Sequence, residues 1–262
     1  MAQELAGVKT QYLVADEDVG LDMRTKLLDP VMEPTEKKLP LRLLKEFRPL
    51  DDGSRFAGAF KDYLIDERGY RPKQVQWLTE TYDLHYATRG SFAYRVIMPL
   101  RDRWGKLLTW TARSIIKDEE VRYKTLSVTA KPWLGLPAAA CATTETLFGL
   151  DVLWDCPNPK ACIICEGPFD ATWISTFGHS LGVYGTCVFG LNLTPTQSVL
   201  IEDLRDRFDY IGMLLDGAAH FQAFRLANNG LNLDLLKIPD GVKDPAVLSP
   251  NAVMDLCLSV VK

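Results

Sequence analysis

The stretch IICEGPFDATW, Ile163 to Trp173, decides the fold. Ala161–Cys165 is a short apolar run with β-branched residues, which reads as a buried strand. It stops at Glu166-Gly167, and helical spacing then runs to about Phe177. Working outward, the apolar piece Leu181–Val188 precedes Thr194-Pro195-Thr196-Gln197. That tetrapeptide is a capping box with proline at the first helical position, and it opens a helix to about Arg207. Tyr210–Leu215 is another apolar strand and ends at Asp216-Gly217. A helix over Ala219–Asn229 follows, with Gly230 as its cap, then a last strand over Leu233–Ile238 before Pro239-Asp240-Gly241. Strands alternating with helices of about ten residues mean parallel βαβ units.

The preceding half differs. Phe56 to Arg68 suits a helix ended by Gly69, and Pro72 opens a second helix through Val75 and Leu78. Strands are predicted at Tyr94–Pro99 and Leu107–Ala112, joined by a turn at Trp104-Gly105, so this part reads as α+β. Residues 1–39 are polar and acidic and carry Pro30 and Pro34, which suits an arm or linker. Of 262 residues, 47% are apolar and 24% charged, enough to bury a core and too apolar for general disorder. No run of about 18 apolar residues suggests a membrane span, and the first twenty residues do not resemble a secretory signal. Six irregularly placed cysteines form no disulfide pattern, so a reducing cytoplasm is expected. The net charge of -4 speaks against nucleic acid until it is divided. Residues 1–39 carry -3, residues 40–131 carry +6 and residues 132–262 carry -7.

Open parallel sheets bind ligands outside the carboxyl ends of their strands. Glu166 and Asp216 each end a predicted strand there, Asp170 lies one helical turn past Glu166, and Asp244 follows the last strand. Any one of these acids reads most simply as a cap on the following helix. Four together repel unless a cation neutralises them, and hard divalent ions such as Mg²⁺ take carboxylate oxygens. A magnesium site for phosphoryl transfer follows.

These residues resemble a known family. IICEGPFDATW is similar to the Glu-Gly motif of the toprim fold, found in DnaG-type primases, topoisomerases and small nucleases. MLLDGAAHFQAFRLA resembles its Asp-x-Asp motif, and LKIPDGVKDPAVL resembles the stretch that follows it in primases. Upstream, YRVIMPLRDRWGKLLTWTARSI, VRYKTLS and LFGLD resemble three primase segments, and all six pieces keep the family's order across about residues 56–250. The bacteriophage primase type is the nearest. The resemblance implies an α/β architecture: an acidic arm (1–39), a basic α+β primase-like subdomain (40–155), a toprim domain with a mainly parallel sheet flanked by helices (156–250), and a C-terminal helix or tail (251–262). It implies RNA primer synthesis from ribonucleoside triphosphates on single-stranded DNA, with Mg²⁺ or Mn²⁺ and a replicative helicase as partner. By the same resemblance Glu166 and Asp216 are catalytic, and Asp170, Asp216 and Asp244 hold metal. Arg95, Arg113 and Lys124 bind substrate.

The sequence departs from the family in places. Ala218 replaces the second aspartate of Asp-x-Asp, which should weaken catalysis, and both a natural degenerate and an inactivating replacement stay open. Ala246 stands where primases often carry another acid. Cys162 and Cys165 have no second pair and lie in an apolar strand, so they read as core and no zinc is expected. These departures support one alternative, a non-catalytic nucleic-acid-binding or regulatory protein on a degenerate toprim scaffold; a toprim nuclease ranks third, because a nuclease does not need the primase-like segment 94–127. Trp104 could stack on a base but reads first as a hairpin core residue. Tyr63, Trp77 and Tyr82 suit helix packing, and His85, His179 and His220 have no ligand spacing.

Overall fold

The computed structural model describes residues 40–190, 192–215, 231, 233–238 and 245–261. The arm 1–39, the helix predicted over Ala219–Asn229, and Asp216, Ala218, His220 and Asp244 lie outside the described residues.

An antiparallel sheet comes first. Its strands β1 (Arg48–Pro49), β2 (His85–Ala87), β3 (Arg95–Arg101), β4 (Leu107–Ser114) and β5 (Tyr123–Thr125) lie in sequence order. Between β1 and β2 come α1 (Arg55–Asp62), a π-helical turn (Tyr63–Glu67) and α2 (Pro72–Tyr82). The predicted stop at Gly69 is present: its φ is +77°, and the next N–H, of Tyr70, donates back to the Leu64 carbonyl. Glycine takes this left-handed conformation without a Cβ clash.

A parallel sheet follows, in the order β7-β6-β8-β9: β6 is Ala161–Cys165, β7 Val183–Cys187, β8 Tyr210–Leu214 and β9 Asp234–Leu236. Short α3 (Leu150–Asp155) precedes it, α4 (Pro168–Gly178) joins β6 to β7, and α5 (Pro195–Leu204) joins β7 to β8. Thr194 caps α5 as its sequence predicts, its hydroxyl accepting the Gln197 N–H at 3.2 Å. α6 (Pro250–Val260) closes the chain.

Strand alternation divides the core. Ala161, Ile163 and Cys165 of β6 face one cluster, with α1, α2, α4 and α6. Cys162 and Ile164 face the other, with Ile201 and Leu204 of α5. Cys162 and Cys165 thus project from opposite faces of one strand. Val96 and Met98 of β3 join the α4 cluster, so the two sheets share it, while Ile97 and the wholly buried Trp110 fill a third cluster on the far face.

Every residue of α4 except Phe177 is buried. A helix apolar on all sides has packing partners on all sides. The Tyr70 hydroxyl meets Thr172 Oγ1 at 2.9 Å, and the Tyr82 hydroxyl donates to Ser175 Oγ at 2.8 Å. Ser175 Oγ also accepts the Gly185 N–H of β7 at 2.8 Å, and Trp173 Nε1 donates to the Leu248 carbonyl at 3.1 Å. Trp77 stacks on His179, and Tyr82 is buried, as packing residues should be.

Trp104 is a correction. It is 76% exposed rather than a core residue, because it sits at the hairpin tip beyond the last strand pair, Arg101 with Leu107. Asp102 Oδ1 shapes that tip by accepting the N–H groups of Trp104 and Lys106, and the Arg103 guanidinium lies 4.4 Å from the Trp104 ring centre.

α4 touches β7 at Gly185, where any Cβ would run into the Ala171 carbonyl oxygen. Gly185→Ala is expected to lower stability by about 1–3 kcal/mol through overpacking. Gly58→Ala, in α1 with open space around its Cβ position, should raise it by about 0.5 kcal/mol; urea midpoints of the two variants check both signs. Burial pushes the Tyr70 and Tyr82 hydroxyls well above the usual tyrosine range. The folded chain therefore keeps these protons above pH 10 where the unfolded chain loses them, so stability should fall by about 1.4 kcal/mol per pH unit per tyrosine. Urea titrations at pH 8, 10 and 11 read this, and the Tyr82→Phe variant should show the shallower decline.

Candidate active site

The strand order 7-6-8-9 reverses direction beside β6. The connection after β6 leads to β7 on one side, while β8 lies on its other side with Ile164 opposite Met213. The carboxyl ends of β6 and β8 therefore flank a topological switch point, where open α/β sheets take their ligands. Glu166 is the first residue past β6, half-buried, and Gly167 then turns the chain into α4. Asp170, 8% exposed, sits in the first turn of α4, and its Oδ2 accepts the Gly167 N–H at 3.1 Å. This is one half of a capping box, so the capping reading of Asp170 holds, and the same bond fixes the carboxylate beside Glu166. Beside them, at the end of β7, burial holds the Cys187 thiol well above its ordinary pKa, with Asp170 and Glu166 adding to the shift. The chain next turns at Phe189, whose φ of +60° is strained for a bulky side chain.

The basic residues come from the antiparallel sheet, and strand parity sorts them. Arg113 on β4 pairs with Val96 and Tyr123, so it shares the face of Val96, which belongs to the α4 cluster. Its Nε donates to the Tyr63 hydroxyl at 3.2 Å, and its guanidinium lies 4.8 Å from the Tyr123 ring centre. Tyr63 in turn meets Phe169, the neighbour of Asp170, edge to face at 6.4 Å. Both Arg113 and Asp170 act electrostatically on the Tyr123 hydroxyl. Arg113 is thus linked through Tyr63 and Phe169 to the helix turn that carries Asp170, one turn past Glu166.

Arg95 and Lys124 lie on the opposite face. Arg95 is one residue before Val96, and Lys124 pairs with Ala112 of the third cluster. The buried Arg95 guanidinium donates to the Val121 and Arg122 carbonyls at 2.8 and 3.1 Å and pairs with Glu119 at 3.4 Å. It ties down the segment between β4 and β5, and burial lowers its pKa. Lys124 donates to the Ser91 carbonyl at 2.5 Å and sits 5.2 Å from the Phe92 ring centre, its pKa lowered by burial and then by Arg95.

Sequence reasoning missed Arg68. It follows the π-helical turn, half-buried, with its guanidinium carbon 4.1 Å from the Phe169 ring centre. In the sequence it looks like an ordinary arginine at a helix end, and the contacts of Tyr70 with Thr172 and Trp173 bring its segment to α4.

Among the described residues no group of three or more His, Cys, Asp or Glu side chains could hold a metal ion. Glu166 and Asp170 supply two carboxylates, and Asp216 and Asp244 lie outside the described residues. The donor set is all oxygen, which fits a hard divalent cation and not zinc held by thiolates. No described helix is long and apolar enough to cross a membrane.

No protein-family model and no curated protein sequence matches the chain. Solved structures do. The zinc-binding and RNA polymerase domains of the Aquifex aeolicus primase align with 80% of this chain at a TM-score of 0.54 and 21% identity; the alignment spans 56% of that chain, little over half its length. The RNA polymerase domain of Mycobacterium tuberculosis primase DnaG aligns at 0.56 and 16% identity, over 80% of this chain and 77% of that one. The same domain has been solved in complex with double-stranded DNA. The primase fragment of the bacteriophage T7 primase-helicase protein aligns at 0.53 and 15%, over 75% and 73%. The antiparallel sheet, the parallel sheet with its switch point at β6, and these alignments agree: the chain has the fold of a DnaG-type primase catalytic core.

Proposed function

We propose that the chain is a primase-type nucleotidyltransferase that builds short RNA primers on a single-stranded DNA template. The observation that carries this reading is that Glu166 and Asp170 stand at the switch point of a primase-fold sheet, and that Arg113 of the basic sheet is linked through Tyr63 to Phe169 beside them. In the reaction a primer 3′-hydroxyl oxygen bonds to the α-phosphorus of a ribonucleoside triphosphate, and the bond to the β-phosphate oxygen breaks, releasing pyrophosphate. Glu166, as general base, takes the hydroxyl proton. Arg113 offers a planar donor fork to the phosphates, and its charge opposes their repulsion. Asp170, with Asp216 and Asp244, would hold Mg²⁺ or Mn²⁺, which when bound draws hydroxyl and triphosphate together and neutralises developing charge. Asp170, already fixed by the Gly167 N–H, needs no reorganisation for that task. The +6 of residues 40–131 suits a template backbone, and DNA bound to a primase domain of this fold supports a nucleic-acid partner.

Ala218 favours a second reading, a binding protein on a degenerate scaffold. The two are separated by restoring the acid. Ala218→Asp, given single-stranded templates, ribonucleotides and Mn²⁺, is expected to yield labelled oligoribonucleotides on denaturing gels, and Glu166→Gln in that background should cut the rate at least about 100-fold. No product from either residue at 218, with single-strand binding that weakens with salt and survives EDTA, would establish the binding protein instead.

A further inference from the structure

A cavity of about 350 Å³ opens at the other edge of the parallel sheet, toward the amino ends of its strands. Its walls include Trp77 of α2, Asp151 and Asp155 of α3, Cys156, His179, and Tyr184 of β7. The eleven residues of α4 run from the carboxyl edge to His179, which sets the cavity about 16 Å from Glu166. Its free polar groups are mostly acceptors. Asp151 and Asp155 lie one helical turn apart, and neither makes an ion pair among the described residues. Burial pushes the Asp151 carboxyl up and Asp155 adds to the shift, while backbone N–H groups and Arg101 act against it. Arg101 itself is bound to Asp83. His179 Nδ1 faces the Ser175 and Thr176 carbonyl oxygens at 3.0 and 3.2 Å, so Nδ1 carries the proton and Nε2 is left to accept. Tyr184 is 4% exposed, yet its hydroxyl has no hydrogen-bond partner among the described residues. A buried polar group without a partner is costly, and this one lines a cavity. The Trp77 indole, held by its stack on His179 at 4.4 Å, adds an electron-rich face.

Two carboxylates, an imidazole nitrogen and an indole face call for a cation. A metal ion does not fit, because among the described residues no three His, Cys, Asp or Glu side chains converge closely enough to hold one. A guanidinium does fit. It is planar and weakly hydrated, it stacks on aromatic rings, and its forked donors reach acceptors that a point charge cannot bridge. We infer that this cavity binds a guanidinium group, with Asp151 as its counter-ion and Trp77 as its stacking surface. The cavity lies away from the carboxylates at the end of β6, so the inference does not depend on the primase reading.

The test titrates Nα-acetyl-arginine amide into the full chain and follows the histidine and tryptophan ring signals by NMR. Saturable binding is expected, with a Kd of about 1 mM. Asp151→Asn should weaken it about 10-fold, the loss of one charge-assisted contact. Asp155→Asn and Trp77→Phe should each lose about threefold. Nα-acetyl-citrulline amide has the same shape without the charge and should bind at least about 10-fold more weakly. Glu80→Gln removes an exposed acid of α2 outside the cavity and should stay within about twofold of the parent chain. Urea midpoints establish that each variant is folded, and if Asp151→Asn is not, Asp155→Asn and Trp77→Phe decide. Acetyl-Gly-Arg-Gly amide then separates the sources of the ligand. Equal or tighter binding of the peptide assigns the cavity to an arginine side chain of a partner protein, and its exclusion assigns a free guanidinium compound. No saturable shift with the arginine probe, equal binding of the citrulline probe, or unchanged affinity in the Asp151 and Trp77 variants would overturn the inference.

Discussion

The burial of α4 on every side is the constraint on which the rest of the structure depends. A helix with residues such as Phe169, Trp173 and Ile174 around its circumference cannot lie on a surface. One side lies on β6 and β7, closely enough at Gly185 that no side chain fits between. The other side takes the hydroxyls of Tyr70 and Tyr82, each from the helical layer of the antiparallel sheet. Those bonds join two halves that differ in sheet type and in charge. The amino end of the same helix carries Glu166, Gly167 and Asp170, so the interaction that assembles the core also aims the carboxylates.

Charge follows from this geometry. The antiparallel sheet has a positive excess, but its two faces do different work. One face buries Val96 and Met98 against the α4 cluster and presents Arg113 toward the acids. The other packs around Trp110 and uses Arg95 and Lys124 as internal struts for the loops on either side. Strand parity, one residue in either direction, separates an arginine that faces the site from one that holds a loop.

Much of this was legible in the sequence. Ala161–Cys165 is the observed β6 to the residue, and the helix from Pro195 begins where Thr194 and Gln197 place it. These elements have strong local signals, a β-branched apolar run and a capping box. The strands β1 and β2 were not legible, because segments of two and three residues have too little periodicity to read. At the site, Glu166 and Asp170 were readable from a turn and a spacing. The parity of Arg95 and Lys124 was not, since it depends on register across β3, β4 and β5. Arg68 was hidden because its meaning comes from Tyr70 and Phe169, the second a hundred residues further along. Trp104 misled for the opposite reason: an aromatic beside a turn looks like a hairpin core, yet at the tip it stays 76% exposed with Arg103 over its ring.

The central claim is that the carboxylates at the end of β6 and Arg113 beside Tyr123 form one nucleotide site. A crystal of the chain soaked with MnCl₂ and a non-hydrolysable ribonucleoside triphosphate tests it most directly. The account expects an anomalous manganese peak within coordination distance of the carboxylates at the β6 switch point, with the triphosphate running from it toward Arg113. A triphosphate on the opposite face, beside Arg95 and Lys124, or a metal bound away from β6, would contradict it.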